Sequence, residues 1–424
     1  MMNKFPLLFL FFFLSFRFVI GQGTWTQKAN VPGLGRGDAF SFSIGRKGYF
    51  ACGYDSSGHL KNDFWEWDQL TNVWTQKASL PAVARRGGGA FSIGTKGYII
   101  GGIDSIGPFN LRDVWEWNSA NNTWSQKGDF PGHAACWTVA FSIGSKGYIG
   151  TGENSGGTKG FYEYDPSTDT WTQKADFGGL ARYDDQGFSV GSKGYIGGGY
   201  DDVEPWYYID IWEYNPDNNT WTQKANMPKL RCNGVGFSLC GKGYLFGGFN
   251  PNTGDLNDLF EWDQSTDTWT QKASLPASAR MCPIVFTIGN KGYIGMGFSQ
   301  PIHWLNDFWE YTPDSLCIDT VTLPPDTTNF HSENNIIYVP NIFSPNNDDV
   351  NDLLYVRGEN IKDLTFSIYN RWGEKVFETQ DKKNGWDGKF KNKDCETGVY
   401  VYVANITFSN GESVFKKGNV TLVR

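Results

Sequence analysis

One phrase constrains this chain more than any other: Trp74-Thr75-Gln76-Lys77-Ala78-Ser79-Leu80-Pro81 returns, with small changes, from Trp25, Trp124, Trp171, Trp221 and Trp269. The successive intervals are 49, 50, 47, 50 and 48 residues. A period of about 40 to 50 residues marks a supersecondary unit that cannot bury its own apolar faces and needs copies of itself alongside. Such a chain forms a ring or a stacked array.

The second repeat shows the content of a unit. Ala90-Phe91-Ser92-Ile93 precedes a Gly94-Thr95-Lys96-Gly97 turn, followed by Tyr98-Ile99-Ile100-Gly101-Gly102, a variable loop, Asp113-Val114-Trp115-Glu116-Trp117, an Asn-rich turn and Trp124-Ser125-Gln126-Lys127. Short aromatic and β-branched runs between Gly, Asn and Asp predict a four-stranded antiparallel meander. The glycine pair, intact at Gly101-Gly102, Gly198-Gly199 and Gly247-Gly248 and half replaced at Cys52-Gly53, Thr151-Gly152 and Met296-Gly297, marks close approach of another backbone. With a third strand ending in Glu-Trp or Glu-Tyr and a Trp-led outer strand, residues 24 to 315 resemble the kelch family, six times over. The resemblance implies a six-bladed β-propeller over 22–315.

Trp25 begins a lone outer strand, whereas the last unit stops at Phe308-Trp309-Glu310-Tyr311 without one. Strand 25–29 is therefore expected to complete blade six and remove two open edges. Lys28, Lys77, Lys127, Lys174, Lys224 and Lys272 on the outermost strands are expected to discourage edge-to-edge pairing.

Composition narrows the class. Aromatic content of 17% with 18 Trp suits sheets packed face to face, and a net charge of -8 without a basic tract argues against nucleic acid. Residues 1–21 carry Lys4 and an apolar run interrupted by Arg17, which reads as a secretory signal peptide, and no later segment has the apolar length of a membrane span. The seven cysteines show no metal-ligand spacing; Cys136, Cys232 and Cys282, at the start of first strands, read as small buried thiols.

After residue 315 the repeat stops. Residues 316–335 are rich in Thr, Pro, Asp and Asn and read as a linker, and 336–424 carry strand-like runs at Ile336 to Phe343, Leu353 to Arg357, Leu364 to Tyr369, Glu374 to Glu378, Val399 to Phe408 and Ser413 to Val423. That pattern predicts a small immunoglobulin-like β-sandwich, so the chain as a whole is all-β. The phrases Val339-Pro340-Asn341-Ile342-Phe343-Ser344-Pro345-Asn346, Ile368-Tyr369-Asn370-Arg371-Trp372-Gly373-Glu374, Gly385-Trp386-Asp387-Gly388 and Lys417-Gly418-Asn419-Val420 resemble the gliding motility-associated C-terminal domain, the type B sorting domain of type IX secretion. Asn347 and Asp349 stand where that family usually has glycine, a place these two residues tolerate. The resemblance implies a propeller exported to the cell surface or secreted, with the secretion machinery as partner. Asp348, Asp349, Asn351 and Asp352 could be weighed as calcium ligands, but an Asx-rich turn accounts for them, and neither metal nor cofactor is expected.

Chemistry on the propeller is sought in the loops after each second strand. Phe109, Trp206, Tyr207, His303 and Trp304 are candidate contacts for glycan or protein, against the plainer reading that they fold down onto neighbouring blades. Arg36, Arg85, Arg182, Arg231 and Arg280 lie six residues before the first-strand Phe, and Asp63, Asp113, Asp210, Asp258 and Asp307 three before the third-strand Glu. Blade three has Ala135 and Gly160 there, and this joint loss favours structural Arg–Asp pairs over an anion-binding ring. A copper oxidase reading lacks a close-spaced histidine pair among His59, His133, His303 and His331. No catalytic residue is assigned. The favoured expectation is a surface or secreted binding or adhesion module for glycan or protein. The alternative is a carbohydrate-active enzyme of sialic acid mutarotase or lyase type, with Glu153 or Glu204 as base.

Overall fold

The computed structural model describes residues 22–105, 111–132, 136–301, 303–314, 337–340, 342–345, 352–358, 360–370, 372–391, 393–409, 411 and 413–423. The expected signal peptide and linker lie outside them. The chain divides into two compact units, Met1–Val321 and Thr322–Arg424, and the described residues contain strands but no helix.

The first unit holds six four-stranded antiparallel sheets. In the first, Phe40–Ile44 is innermost, followed outward by Lys47–Ala51, Phe64–Asp68 and Val73–Lys77. The last is Ile284–Ile288, Lys291–Gly295, Phe308–Thr312 and, from the other end of the chain, Thr24–Gln27. That closing strand begins one residue before the expected 25–29 and ends two residues sooner; Trp25 faces Tyr311 and Gln27 faces Trp309.

Three contacts, repeated at each boundary, explain why the repeat phrases vary so little. The first is a phenyl ring on a glycine. A Cβ on Gly97 would overlap the ring of Phe42 from the preceding sheet, and the same holds for Gly147 under Phe91, Gly194 under Phe141, Gly243 under Phe188, Gly292 under Phe237 and Gly48 under Phe286. The sequence reading placed Gly97 in a turn, but it lies within strand Lys96–Gly102. The turn is the two residues Gly94-Thr95 between the paired Ile93 and Lys96, with Gly94 at φ 58°, as a two-residue hairpin that starts left-handed requires.

The second contact joins outer strands. Trp74 Nε1 donates to the carbonyl of Ala29 at 3.0 Å, Trp124 to Ala78 at 2.7 Å, Trp171 to Gly128 at 3.2 Å, Trp221 to Ala175 at 3.1 Å, Trp269 to Ala225 at 3.0 Å and Trp25 to Ala273 at 2.7 Å. One repeat's Trp thus satisfies the Lys-Ala segment of the repeat before it, or the Lys-Gly segment at Gly128.

The third lies within each sheet. Tyr49 Oη donates to Glu66 at 2.9 Å, and Lys77 sits 3.6 Å from the same carboxylate; Glu116, Glu163, Glu213, Glu261 and Glu310 are held alike by Tyr98, Tyr148, Tyr195, Tyr244 and Tyr293. Lys127, Lys174, Lys224, Lys272 and Lys28 supply the positive charge. This corrects the edge-guard role expected of the outermost lysines: they turn inward, because a half-buried glutamate demands a cation more strongly than a solvated edge does.

The glycine pair has a conformational cause as well as a steric one. Its second member is always glycine, at φ 89–100°, where a Cβ would also meet a facing carbonyl; its first member, at φ 57–67°, accepts Cys52, Thr151 and Met296. The first value is the left-handed well that other residues enter at modest cost, and the second lies beyond it.

In the second unit a five-stranded sheet runs Ile342–Phe343, Ser413–Leu422, Gly398–Phe408, Ile361–Tyr369, Lys375–Thr379, with the first pair parallel and the rest antiparallel. The facing layer is made of short pieces. The expected strand at Ile336 to Phe343 is two two-residue segments, and Leu353 to Arg357 contributes a bridge from Leu354 to Trp386 and the pairing of Arg357–Gly358 with Ile337–Tyr338. Trp386 fills the space between layers, fully buried against Phe343 and Tyr400.

Removal of the closing strand's anchor is a direct test of ring closure. Trp25→Ala deletes a half-buried ring packed on Phe246 and Tyr311 together with its hydrogen bond to Ala273. The expected loss is about 2–3 kcal/mol in urea unfolding, below the range for a fully buried tryptophan.

Candidate functional site

The six innermost strands surround a channel of about 320 Å³. Small residues such as Ser41, Ser43, Gly89, Ala90 and Ser92 line it, and Ser41 and Ser43 donate across the closing boundary to the carbonyls of Val285 and Thr287 at 2.9 and 2.8 Å. Small residues repeat round most of the wall, and Asp185 and Gln186 at one end of it break the repeat, so chemistry is to be sought at the ends.

At the end bearing the variable loops, each innermost strand is preceded by a residue in left-handed conformation: Asp38, Gly87, Trp137, Asp184, Asn233 and Cys282, at φ 45–67°. Backbone hydrogen bonds link them from blade to blade. The amides of Gly87, Trp137, Asp184, Asn233 and Cys282 donate to the carbonyls of Asp38, Gly87, Trp137, Asp184 and Asn233 at 2.5–3.0 Å. Asp, Asn and Gly suit that conformation; Trp137 does not, and a bulky residue held there is a feature that clusters at functional sites. A second ring surrounds the first, formed by the residue after each glycine pair: Tyr54, Ile103, Glu153, Tyr200, Phe249 and Phe298. Bridges join Arg86 to Ile103, Tyr183 to Tyr200, Cys232 to Phe249 and Met281 to Phe298. These twelve positions differ in chemistry from blade to blade while the scaffold beneath them does not.

Aromatic rings form an arc across blades three to five. Trp137 lies 6.4 Å from Tyr183, Tyr183 5.1 Å from Tyr200, Tyr200 5.1 Å from Tyr207 and Tyr207 6.4 Å from Phe249, all half-buried. Asp202 accepts from Tyr183 and Tyr200 at 3.1 and 2.9 Å. A separate group joins blades six and one: Trp304 lies 5.0 Å from Phe298 and 5.7 Å from Tyr54, with the Arg86 guanidinium 4.9 Å above Tyr54.

Carboxyls concentrate beside the first arc. Asp38 accepts from Arg86 at 3.1 Å. Burial, with Asp38 and Asp185 nearby, raises the Asp184 carboxyl well above the carboxylate range, opposed by a hydrogen bond from Asn233. Asp185 lines the channel where the other blades have Ala39, Gly88, Thr138, Gly234 and Pro283. One of its oxygens accepts from Thr151 at 3.0 Å and the other has no partner. Burial pushes it up to about 7, though Arg182 and Thr151 pull the other way.

The residues singled out in the sequence separate accordingly. Tyr207 joins the first arc and Trp206, at the tip of the same loop, is 51% exposed; Trp304 belongs to the second group, His303 beside it is exposed, and Phe109 lies outside the described residues. Glu204 is exposed on the blade-four loop, whereas Glu153 belongs to the second ring beside Cys136. Arg36, Arg85, Arg182 and Arg280 each reach Asp63, Asp113, Asp210 and Asp307 through two nitrogens at 2.5–3.1 Å, and donate also to a carbonyl at the glycine pair. Arg231 is looser, 3.2 Å from Asp258, whose other oxygen takes Lys229 at 2.8 Å. All five arginines are buried. Cys52, Cys232 and Cys282 are free thiols, the Cys136 thiol donates to Glu153, and Cys240 is disulfide-bonded. Among the described residues no group of three His, Cys, Asp or Glu could hold a metal, and the calcium reading falls on residues outside them except Asp352.

The mouth ring escaped the sequence reading although its signal was present. Two residues after each of the five arginines, and after Ala135 in blade three, the repeats read Asp, Gly, Trp, Asp, Asn and Cys, a column of left-handed formers interrupted by two residues that are not.

Residues 84–131 and 231–276 match the Kelch motif, and residues 337–422 match the CHU_C Type IX secretion signal domain. Comparison with curated proteins gives no match. Among solved structures the chain is similar to one titled "Structure of YjhT", with a TM-score of 0.58 and 17% identity over 68% of this chain and 97% of that one; at that identity the likeness concerns the fold. The secretion signal domain marks the chain for export to the outer surface or the medium, and no helix among the described residues is long and apolar enough to cross a membrane.

Two outcomes follow from this geometry. Arg280→Met leaves the half-buried Asp307 with Trp309 but without its guanidinium and is expected to cost about 2–3 kcal/mol, below the range for a fully buried pair, much of it recovered by adding Asp307→Leu, as read by urea unfolding. Asp185 has a folded pKa of about 7, above the roughly 4 of an unfolded carboxyl, so its contribution favours folding at low pH and is lost as pH rises through 7. Asp185→Asn should therefore match the parent's melting temperature at pH 4 and exceed it at pH 8.

Proposed function

With kelch motifs and a type IX secretion signal domain in one chain, we propose that this protein is an exported binding module whose propeller takes a glycan at the loop-bearing mouth of its channel. One observation carries the reading: on a scaffold repeated six times, the two rings at the mouth change in chemistry from blade to blade, with Trp137, Glu153 and Asp184 among their members and Asp185 next to them. Half-exposed aromatic faces beside carboxylates suit a saccharide, whose C–H faces lie on rings while its hydroxyls donate to acidic oxygens. A flat protein partner would want a broader apolar patch than the arc offers.

The enzyme alternative keeps one point in its favour, Asp185 near neutrality in a concave site. Its acidic-sugar form is weakened because the five arginines that could hold a carboxylate are buried in aspartate pairs.

A glycan array probed with the full chain tests the proposal. Trp137→Ala with Tyr200→Ala is expected to weaken the best hit about tenfold or more, while Trp304→Ala leaves it within twofold. Equal binding by parent and double variant, with melting temperatures matched, rejects the mouth as the site. Conversion of a bound saccharide, followed by NMR, would instead favour the enzyme.

A further inference from the structure

Backbone conformation singles out two tryptophans on the loop-bearing face. Among the described non-glycine residues held at positive φ, the aromatic ones are Trp137 at 45° and Trp206 at 65°. A bulky side chain is strained there, and such strain gathers at functional sites. Both belong to one surface: Trp137 opens the aromatic arc at the channel mouth, and Trp206 is the chain neighbour of Tyr207, further along that arc.

The loop that carries Trp206 is built to hold it out. At its base Tyr208 is buried, with the Arg182 guanidinium 4.1 Å from its ring, and the buried Asp201 accepts from the amide of Gly157 in blade three at 2.9 Å. Across the loop, the Asp201 amide donates to the carbonyl of Trp206 at 2.8 Å and the Trp206 amide to that of Val203 at 3.0 Å. Yet Val203 and Trp206 at its tip are 67% and 51% exposed. Exposed apolar side chains on a pinned loop, continuous with a row of half-buried rings, mark a contact surface.

Polar groups along the same path are open. Among the described residues Trp206 Nε1 and Tyr207 Oη have no hydrogen-bond partner, and the exposed Asp202 accepts from Tyr183 and Tyr200 on one oxygen while the other has none. An indole donor, a phenol and a carboxylate oxygen are each matched by a hydroxyl, which both donates and accepts. The ring-to-ring steps of 5.1–6.4 Å are close to the length of one pyranose unit, so successive rings can meet successive sugars. Their planes tilt by 41–89° from one to the next, which a chain that turns can follow and a flat ribbon cannot.

We propose that the mouth and the blade-four loop form one row of subsites for at least three consecutive units of a neutral, turning polysaccharide such as a β-1,3- or α-1,4-glucan. Trp137 receives the unit nearest the channel and Trp206 the outermost. The proposal rests on the glycan reading above and adds length and shape to it, since a lone sugar fills only part of the row.

The test is titration calorimetry of the full chain with β-1,3-, α-1,4- and β-1,4-gluco-oligosaccharides of one to six units. In at least one of the two turning series, affinity is expected to rise about tenfold or more between two units and four and then level off, while the β-1,4 series stays near the affinity of its dimer. Trp206→Ala should remove the rise and leave the disaccharide within twofold, whereas Trp137→Ala weakens every length; matched melting temperatures confirm an intact fold. Affinity independent of length overturns the row of subsites and leaves the glycan reading standing. A rise that survives Trp206→Ala overturns the part given to the loop, and an equal rise in the β-1,4 series overturns the shape. Displacement of a bound tetramer by a proline-rich decapeptide, the other extended ligand that aromatic grooves take, overturns the saccharide assignment. Binding in none of the three series overturns the neutral chain, and the glycan array then decides the glycan reading separately.

Discussion

A phenyl ring closing on a glycine is the contact on which the propeller depends. Burying a phenylalanine contributes about 1.5–3 kcal/mol, and here each of six rings is buried in the next blade over, at Gly48, Gly97, Gly147, Gly194, Gly243 and Gly292. No blade can make that contact alone. The tryptophan clasp on the outer strands has the same logic, since each indole donates to a carbonyl in the repeat before it. Stability therefore resides at boundaries, and the boundary made by the two ends of the chain has the same parts as the other five.

Charged groups are handled in two ways. Within sheets, each third-strand glutamate has a tyrosine and a lysine, and under the loops four arginines hold an aspartate through two nitrogens and a fifth through one. A buried charge with its partner roughly breaks even against an apolar replacement, whereas one without it is costly; these clusters therefore fix geometry more than they add stability. At the mouth, burial raises the carboxyls of Asp184 and Asp185, with Asp38 and Asp185 adding to the rise at Asp184 and Arg182 opposing it at Asp185, and these carboxyls, set among residues that vary from blade to blade, give the face a chemical direction.

Much of the architecture was legible because repetition exposes it. The period announced units, the lone strand at Trp25 and the missing one after Tyr311 were complementary, and the joint loss of arginine and aspartate in blade three pointed to pairing without any coordinates. Other inferences failed for identifiable reasons. The outermost lysines were read from their place on an edge, but a side chain with four methylenes reaches past the edge to a glutamate on the next strand. Gly97 was read as part of a turn because it follows one, while its real constraint comes from Phe42, 55 residues earlier in the chain and in another sheet.

What the sequence alone determined is whatever each repeat states locally: strand order, the Arg–Asp partners at fixed spacing, and the secretion domain with its Gly-Trp-Asp-Gly phrase. What only the tertiary structure decided is which residues of different blades meet. Asp38, Trp137, Asp184 and Asp185 are spread over about 150 residues of chain, and each is unremarkable within its own repeat. They become a site because closing a ring brings the same position of every unit to one axis, and that proximity is a property of the circle rather than of any segment in it.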